Sequence, residues 1–353
     1  MSSLRRRAVP PYTGAMSYDI WPEDRALFQR CRRAWDLGAR VRRDLEPVEP
    51  PPRLDLEGAV RAALSLYYFP GMWDWDGAIV LPLVRQAFRD AMAEQRGRLP
   101  SGWAGRWADS AALGERLLES YFSWAPDVDD FAPVRVAADL DVQIPDPDAP
   151  GRDLVTPDGW PIRFRTRLDL LAIDADNAYW MVEHRLVRSG WPELDELLLD
   201  ERALSWCWAC QQAYPGMRVA GTIHNELRVD VGYPEGIGGG LGVRGQVRQH
   251  DRAYHPPIGR SAAAPAGGPR VRQRGGEAFR RTQIRREQAE LASFGDRLAS
   301  QAREMTDPAP RLYPSPSPEN CRPCVFRPPC IGLNEGGELA ALLAGGYRRR
   351  PPS

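Results

Sequence analysis

Three cysteines within ten residues, Cys321, Cys324 and Cys330, form a C-x2-C-x5-C run inside ENCRPCVFRPPC. Packing alone rarely produces such spacing, and three thiolates make an incomplete site. A fourth ligand has to come from elsewhere, and Cys31, nearly 300 residues upstream, is the leading candidate. Iron-sulfur clusters take four cysteine thiolates and require only that the fold bring them together. Zinc is the competitor, because Cys207-Trp-Ala-Cys210 is a second C-x2-C, and two such pairs would make a four-cysteine zinc site. Cys207 and Cys210, however, fall in a helical stretch beside Trp206, Trp208 and Ala209, where they read as core thiols.

The compartment bears on this choice. Met1 to Thr13 carries arginines without an apolar stretch, and no run approaches the roughly 18 apolar residues of a membrane span. A cytoplasmic protein with no membrane association is expected, in which six cysteines favour metal binding or buried thiols over disulfides. The 47 basic side chains balance 47 acidic ones, so any nucleic-acid affinity has to come from a local basic surface. All 47 are arginine, which excludes mechanisms that need a lysine amine. The glycine-rich stretch Gly236 to Gly245 lacks a following Lys-Ser/Thr, which excludes a P-loop and with it a helicase motor.

Hydrophobic periodicity predicts a helix over Tyr18 to Leu37 with Cys31 on its apolar edge, then helices around Leu56 to Tyr68, Ile79 to Arg96 and Asp109 to Trp124. Alternation predicts strands at Phe131 to Ile144, Ile162 to Ile173 and Ala178 to Val187. The last two form a hairpin across Asp174-Ala175-Asp176-Asn177. A helix over Glu193 to Tyr214, a strand over Arg218 to Val231 and a charged helix over Ala278 to Met305 follow. Residues 232–276, rich in Gly, Pro and Arg, read as a flexible insertion, more often a plain solvated loop than a nucleic-acid contact. The expected domain is 17–335, between a disordered tail at 1–16 and a C-terminal tail at 336–353.

The cysteine arrangement around FQRCRRAWDLGARVRRDL, paired with the terminal C-x2-C-x5-C, resembles that of RecB-like nucleases of the PD-(D/E)XK superfamily that carry an iron-sulfur clasp. Those include AddB-type helicase-nuclease subunits and CRISPR-associated nucleases. The resemblance implies an α/β restriction-endonuclease-like core: a central mixed β-sheet flanked by helices, with the N- and C-terminal segments joined by a structural [4Fe-4S] cluster on Cys31, Cys321, Cys324 and Cys330.

It also implies a catalytic centre. RTRLDLLAID and WMVEHRL are similar to the family's G-R-x-D and D/E-x-K strands, which makes Asp169 and Glu183 ligands for Mg²⁺ or Mn²⁺. Such a metal polarises a phosphodiester and lowers the pKa of the attacking water. Residues two apart on a strand face the same way, so Arg185 projects with Glu183 while His184 points oppositely. Arg185 stands where the family has lysine; a guanidinium can stabilise transition-state charge but is a poor base. In LGERLLESYF, Glu119, and less so Glu115, matches the family's upstream helical ligand, as readily as it reads as a solvent-facing glutamate. Arg202 and Trp206 stand where the family has Gln and Tyr, and could touch phosphate and base, although helix packing is the commoner role of such a tryptophan. His184, His224, His250 and His255 show no metal-ligand spacing.

The implied activity is a metal-dependent deoxyribonuclease acting on DNA ends or single strands, with a helicase or another repair or processing protein as a possible partner. Two alternatives stand beside it: a family member that has lost catalysis and binds DNA or protein, and a zinc-stabilised interaction protein.

Overall fold

The computed structural model describes residues 17–231 and 270–351. The tail at 1–16 and residues 232–269 of the expected insertion lie outside them. In chain order the elements are β1 (Tyr18–Ile20), α1 (Pro22–Arg30), α2 (Arg32–Gly38), β2 (Leu45–Pro47), α3 (Leu56–Tyr67), α4 (Gly77–Arg96) and α5 (Ala104–Val128). Next come β3 (Phe131–Gln143), β4 (Ile162–Asp174), β5 (Tyr179–Val187), α6 (Leu194–Leu198), α7 (Glu201–Ala213) and β6 (Val219–Arg228). The chain continues with β7 (Val271–Gly275), β8 (Phe279–Arg285), α8 (Gln288–Met305), α9 (Pro318–Cys321), α10 (Arg327–Asn334), α11 (Leu339–Leu343) and β9 (Tyr347–Arg349).

The protein is an α/β fold whose central mixed sheet has seven strands in the order β1-β4-β5-β6-β8-β7, with β3 beside β4. The β4–β5 hairpin is antiparallel, as its turn sequence predicts, and β5 runs parallel to β6. Two compact units divide the chain.

The larger unit comprises 51–140 and 166–294. Asp55 and Asp76 cap α3 and α4 through the backbone N–H groups of Gly58 and Ala78. The apolar stripes of these helices and of α5 (Val60, Leu64, Val84, Phe88, Leu117) share one core with Leu170, Val182 and Ile223 of the sheet. Each such buried side chain contributes about 1.5–3 kcal/mol. A polar cluster lies within this unit too, where Arg281 donates to the hydroxyls of Tyr68 and Tyr121 and to Asn225.

The smaller unit comprises 1–50, 141–165 and 295–353. Phe326 packs on Ala34 and Leu37, with Leu27, Leu45, Leu343 and Tyr347 around them. Gly38 is required here, because a Cβ would sit 2.7 Å from the Phe326 ring.

The structure departs from the sequence expectations in four places. The helix expected over Tyr18 to Leu37 begins as β1 and breaks at Cys31, which is extended at φ −162°, ψ 111°. The apolar period survives the break because Phe28 and Trp35 on either side are both buried. The helix over Glu193 to Tyr214 breaks before Asp200. The first part of the expected 278–305 helix is β8, and β7 occupies the end of the expected insertion; alternation in these short strands is obscured by their arginines. The expected C-terminal tail contains α11 and β9, and β9 pairs antiparallel with β2.

Candidate metal centre and cysteine cavity

Strand register assembles the first site. In the parallel β5–β6 pair, Glu183 lies beside His224 and Arg185 beside Glu226. His224 Nδ1 is 3.0 Å from Glu183 Oε2, and both side chains are buried. Just before His224, β6 irregularly meets β5 at Gly221, whose φ of +153° and whose close approach to the Ile284 carbonyl only glycine tolerates: a Cβ would lie 2.0 Å from that oxygen.

Asp200 enters from the break between α6 and α7. Arg286 holds the Leu197 and Leu198 carbonyls, ending α6. Asp200 then caps α7, its Oδ1 accepting from the backbone N–H of Arg202 and Ala203. Its Oδ2 is left to face Arg185. One ligand atom each from Glu183, Asp200 and His224 lies within 4.8 Å of the others.

Arginines surround this group. Arg185 Nη2 donates to Glu183 Oε2 at 2.9 Å and also to Asp200. Arg202 Nη1 is 3.6 Å from Glu183 Oε1. Burial alone would raise the Glu183 pKa, but the His224 hydrogen bond and the Arg185 charge outweigh it and hold the carboxyl down at about 2. The surroundings of Glu183 therefore favour its anion despite its burial.

Asp169 lies just outside the paired register, which begins at Leu170 opposite Val182. Its Oδ2 accepts the backbone N–H of His184 at 2.9 Å, with Arg61 Nε 3.4 Å away. Burial raises its pKa, against the pull of Arg61 and the His184 N–H.

The expected ligand set is thus rearranged. Glu183 is central, but Asp169 and Glu119 are not in the three-ligand group. Glu119 faces Arg85 of α4 at 3.4 Å, and Glu115 pairs with Arg89. The sheet-facing position on this helix belongs to Tyr121, fully buried and bonded to Asn225. Trp206 is also fully buried, with its Nε1 donating to Thr166 Oγ1, so it cannot stack on a base. Arg202, over the Trp206 ring at 5.1 Å, stays partly exposed. Asp200 and His224 stand outside the expected ligand set. Asp200 carried only a helix-start signal, and His224 reaches Glu183 through register, which sequence spacing does not display.

The three ligand atoms lie close enough together that the group could hold a metal ion. Carboxylates suit Mg²⁺ and Mn²⁺, while imidazole shifts preference toward transition metals, so Mn²⁺ fits this donor set better than Mg²⁺. The shared Arg185 nitrogen lies between two carboxylates where a cation would be held. Its side chain is 25% exposed.

The second site is in the smaller unit. Cys31, Cys321, Cys324 and Cys330 all line one cavity of about 140 Å³, together with Arg30, Arg33 and Arg327 and no carboxylate. The break at Cys31, the end of α9 (Cys321), the connection between α9 and α10 (Cys324) and the first turn of α10 (Cys330) deliver the four sulfurs. Among the described residues, no three of these sulfurs close to within 4.8 Å. Tetrahedral zinc, with Zn–S of about 2.3 Å, would hold its thiolates roughly 3.8 Å apart. A four-iron cluster takes one thiolate per iron and spreads them wider. Four cysteines and three arginines on one cavity wall are the donors an anionic thiolate cluster would need, but the sulfurs are not drawn together as a cluster site in this structure. Cys207 and Cys210 lie elsewhere, buried in α7; burial pushes Cys210 up to about 12 and Cys207 higher still, consistent with core thiols.

Searches of the sequence against models of known protein families and against curated proteins return no match. Among the described residues, no helix is long and apolar enough to cross a membrane.

Proposed function

We propose that this protein is a metal-dependent nuclease of the RecB-like PD-(D/E)XK type, with a restriction-endonuclease-like core and its terminal segments clasped by a [4Fe-4S] cluster. The observation that carries the reading is the meeting of Glu183 of β5, His224 of the neighbouring parallel strand β6 and Asp200 at the start of α7, beside two arginines, Arg185 and Arg202. A divalent metal bound there would polarise the scissile phosphate and generate hydroxide from water. Arg185, displaced from the carboxylates, would meet the phosphate in a bidentate fork. Asp169, anchored on the His184 N–H beside Glu183, would complete the anionic rim. The substrate is DNA with ends or single-stranded character, and a helicase or repair protein is the fitting partner.

A second reading rests on one observation: Arg185 and Arg202 already engage both oxygens of Glu183. An internal guanidinium in place of the metal would leave a DNA-binding module without catalysis.

The test uses anaerobically purified full-length protein on single-stranded and duplex DNA with Mn²⁺ or Mg²⁺, with Glu183→Gln and His224→Ala as controls. The enzyme reading expects Mn²⁺-dependent cleavage lost in both variants. A folded wild type that binds DNA but does not cut it supports the binding module instead, and a colourless protein containing one zinc overturns the cluster.

A further inference from the structure

Resting on the cluster reading, we infer that Arg33 tunes the cluster through Cys330. Arg33 Nη1 lies 3.5 Å from Cys330 Sγ, 3.2 Å from the Cys330 carbonyl and 2.7 Å from Asn334 Oδ1. The second and third contacts fix the guanidinium, so the approach to sulfur is not that of a free surface side chain. Its backbone is held as well, the Arg33 N–H donating to the Tyr313 carbonyl at 3.1 Å. Arg33 follows Cys31 by two residues and sits at the start of α2, so one short segment supplies both a thiolate and a cation directed at the opposite thiolate.

Potentials of such clusters are set by net charge, by hydrogen bonds to sulfur and by exposure. Reduction adds an electron to an already anionic group. A guanidinium fixed on one thiolate stabilises that added charge, as do the Arg30 and Arg327 side chains on the same cavity wall. Arg33 therefore raises the potential and makes Cys330 the corner whose sulfur carries the most stabilised charge.

The test is an anaerobic redox titration of the full-length protein, read by the visible band near 400 nm and by electron paramagnetic resonance, with iron counted in the same samples. Arg33→Leu is expected to keep its iron while the reduced-to-oxidised ratio at a fixed ambient potential falls about tenfold, which is about 59 mV downward for a one-electron couple. Arg33→Gln, which keeps polarity and loses charge, should shift in the same direction and serves if the leucine variant fails to fold. Arg33→Lys should fall between these and wild type. Variants with a full complement of iron and an unchanged potential overturn the role of Arg33 alone. A wild type without iron overturns the cluster reading and this inference together, and the two failures are told apart by the iron count.

Discussion

Arg185 places one guanidinium nitrogen 2.9 Å from Glu183 Oε2 and in contact with Asp200, so two carboxylates that could hold a metal share an internal cation. A divalent ion bound there would compete with the arginine for the same oxygens. Arg185→Ala is expected to lose about 1.5–3 kcal/mol of stability in metal-free buffer, because hydrogen bonds to charged groups are removed from a buried anion. The same variant should bind Mn²⁺ more tightly than wild type and regain stability as Mn²⁺ is added. Thermal unfolding across a Mn²⁺ titration checks both. A variant equally destabilised at every Mn²⁺ concentration would show that no metal enters there.

The metal site itself is tested by two substitutions that spare the fold. Asp200→Asn keeps a good helix cap, since asparagine caps as well as aspartate, while removing an anionic ligand. His224→Gln removes the imidazole and keeps a polar side chain beside Thr222. Each is expected to weaken Mn²⁺ at least tenfold by calorimetry. Glu119→Gln, on α5 and facing Arg85 of α4, should leave Mn²⁺ affinity unchanged. Parity between Glu119→Gln and the other two would remove the ligand assignment.

Much of this architecture was legible in the sequence, because helices α3 to α5 and the β4–β5 hairpin carry long, clean periodicities. The alternation of Glu183 and Arg185 about His184 was legible for the same reason. Interruptions were not. Cys31 and Asp200 each sit at a break that the flanking apolar pattern spans without a change of phase. His224 joins Glu183 through the register of a parallel strand pair separated by helices α6 and α7, and no local spacing encodes that register. The cysteines were legible as a set because sulfur chemistry restricts which residues serve. The contact of Arg33 with Cys330 depends on tertiary placement, and it could be read only from coordinates.

Acid should weaken the larger unit in two stages. His184 is buried beneath Tyr68, its rings stacked 5.5 Å apart, and burial, with Arg61 nearby, lowers its pKa from 6.5 to about 3. A group whose folded pKa is depressed contributes stability above the unfolded value and loses it as pH falls, so the His184 contribution declines from about pH 6.5 toward 3. Glu183, held near 2 against 4.5 unfolded, adds a second decline below about pH 4.5. Asp169, with a raised pKa, works in the opposite direction. His184→Asn is expected to flatten denaturant stability between pH 6.5 and 5, and Glu183→Gln only the part below 4.5. Identical pH profiles for wild type and His184→Asn would contradict the burial of an uncharged imidazole.

Arg202 and Trp206, although stacked, differ in what they could offer a nucleic acid. Trp206 is sealed from solvent and its indole N–H is used by Thr166 at 3.0 Å. Trp206→Phe should cost about 1 kcal/mol for that hydrogen bond, plus a packing loss, and leave DNA affinity unaltered. Arg202 reaches solvent at the rim of the carboxylate group, where a phosphate could meet it. Arg202→Ala should weaken DNA binding about equally across sequences and reduce the slope of log affinity against log salt by about one. Binding isotherms at several salt concentrations, with divalent metal withheld, distinguish the two residues. If Trp206→Phe proves as damaging to affinity as Arg202→Ala, the helix contributes through its packing, and the phosphate contact has to be sought at Arg185.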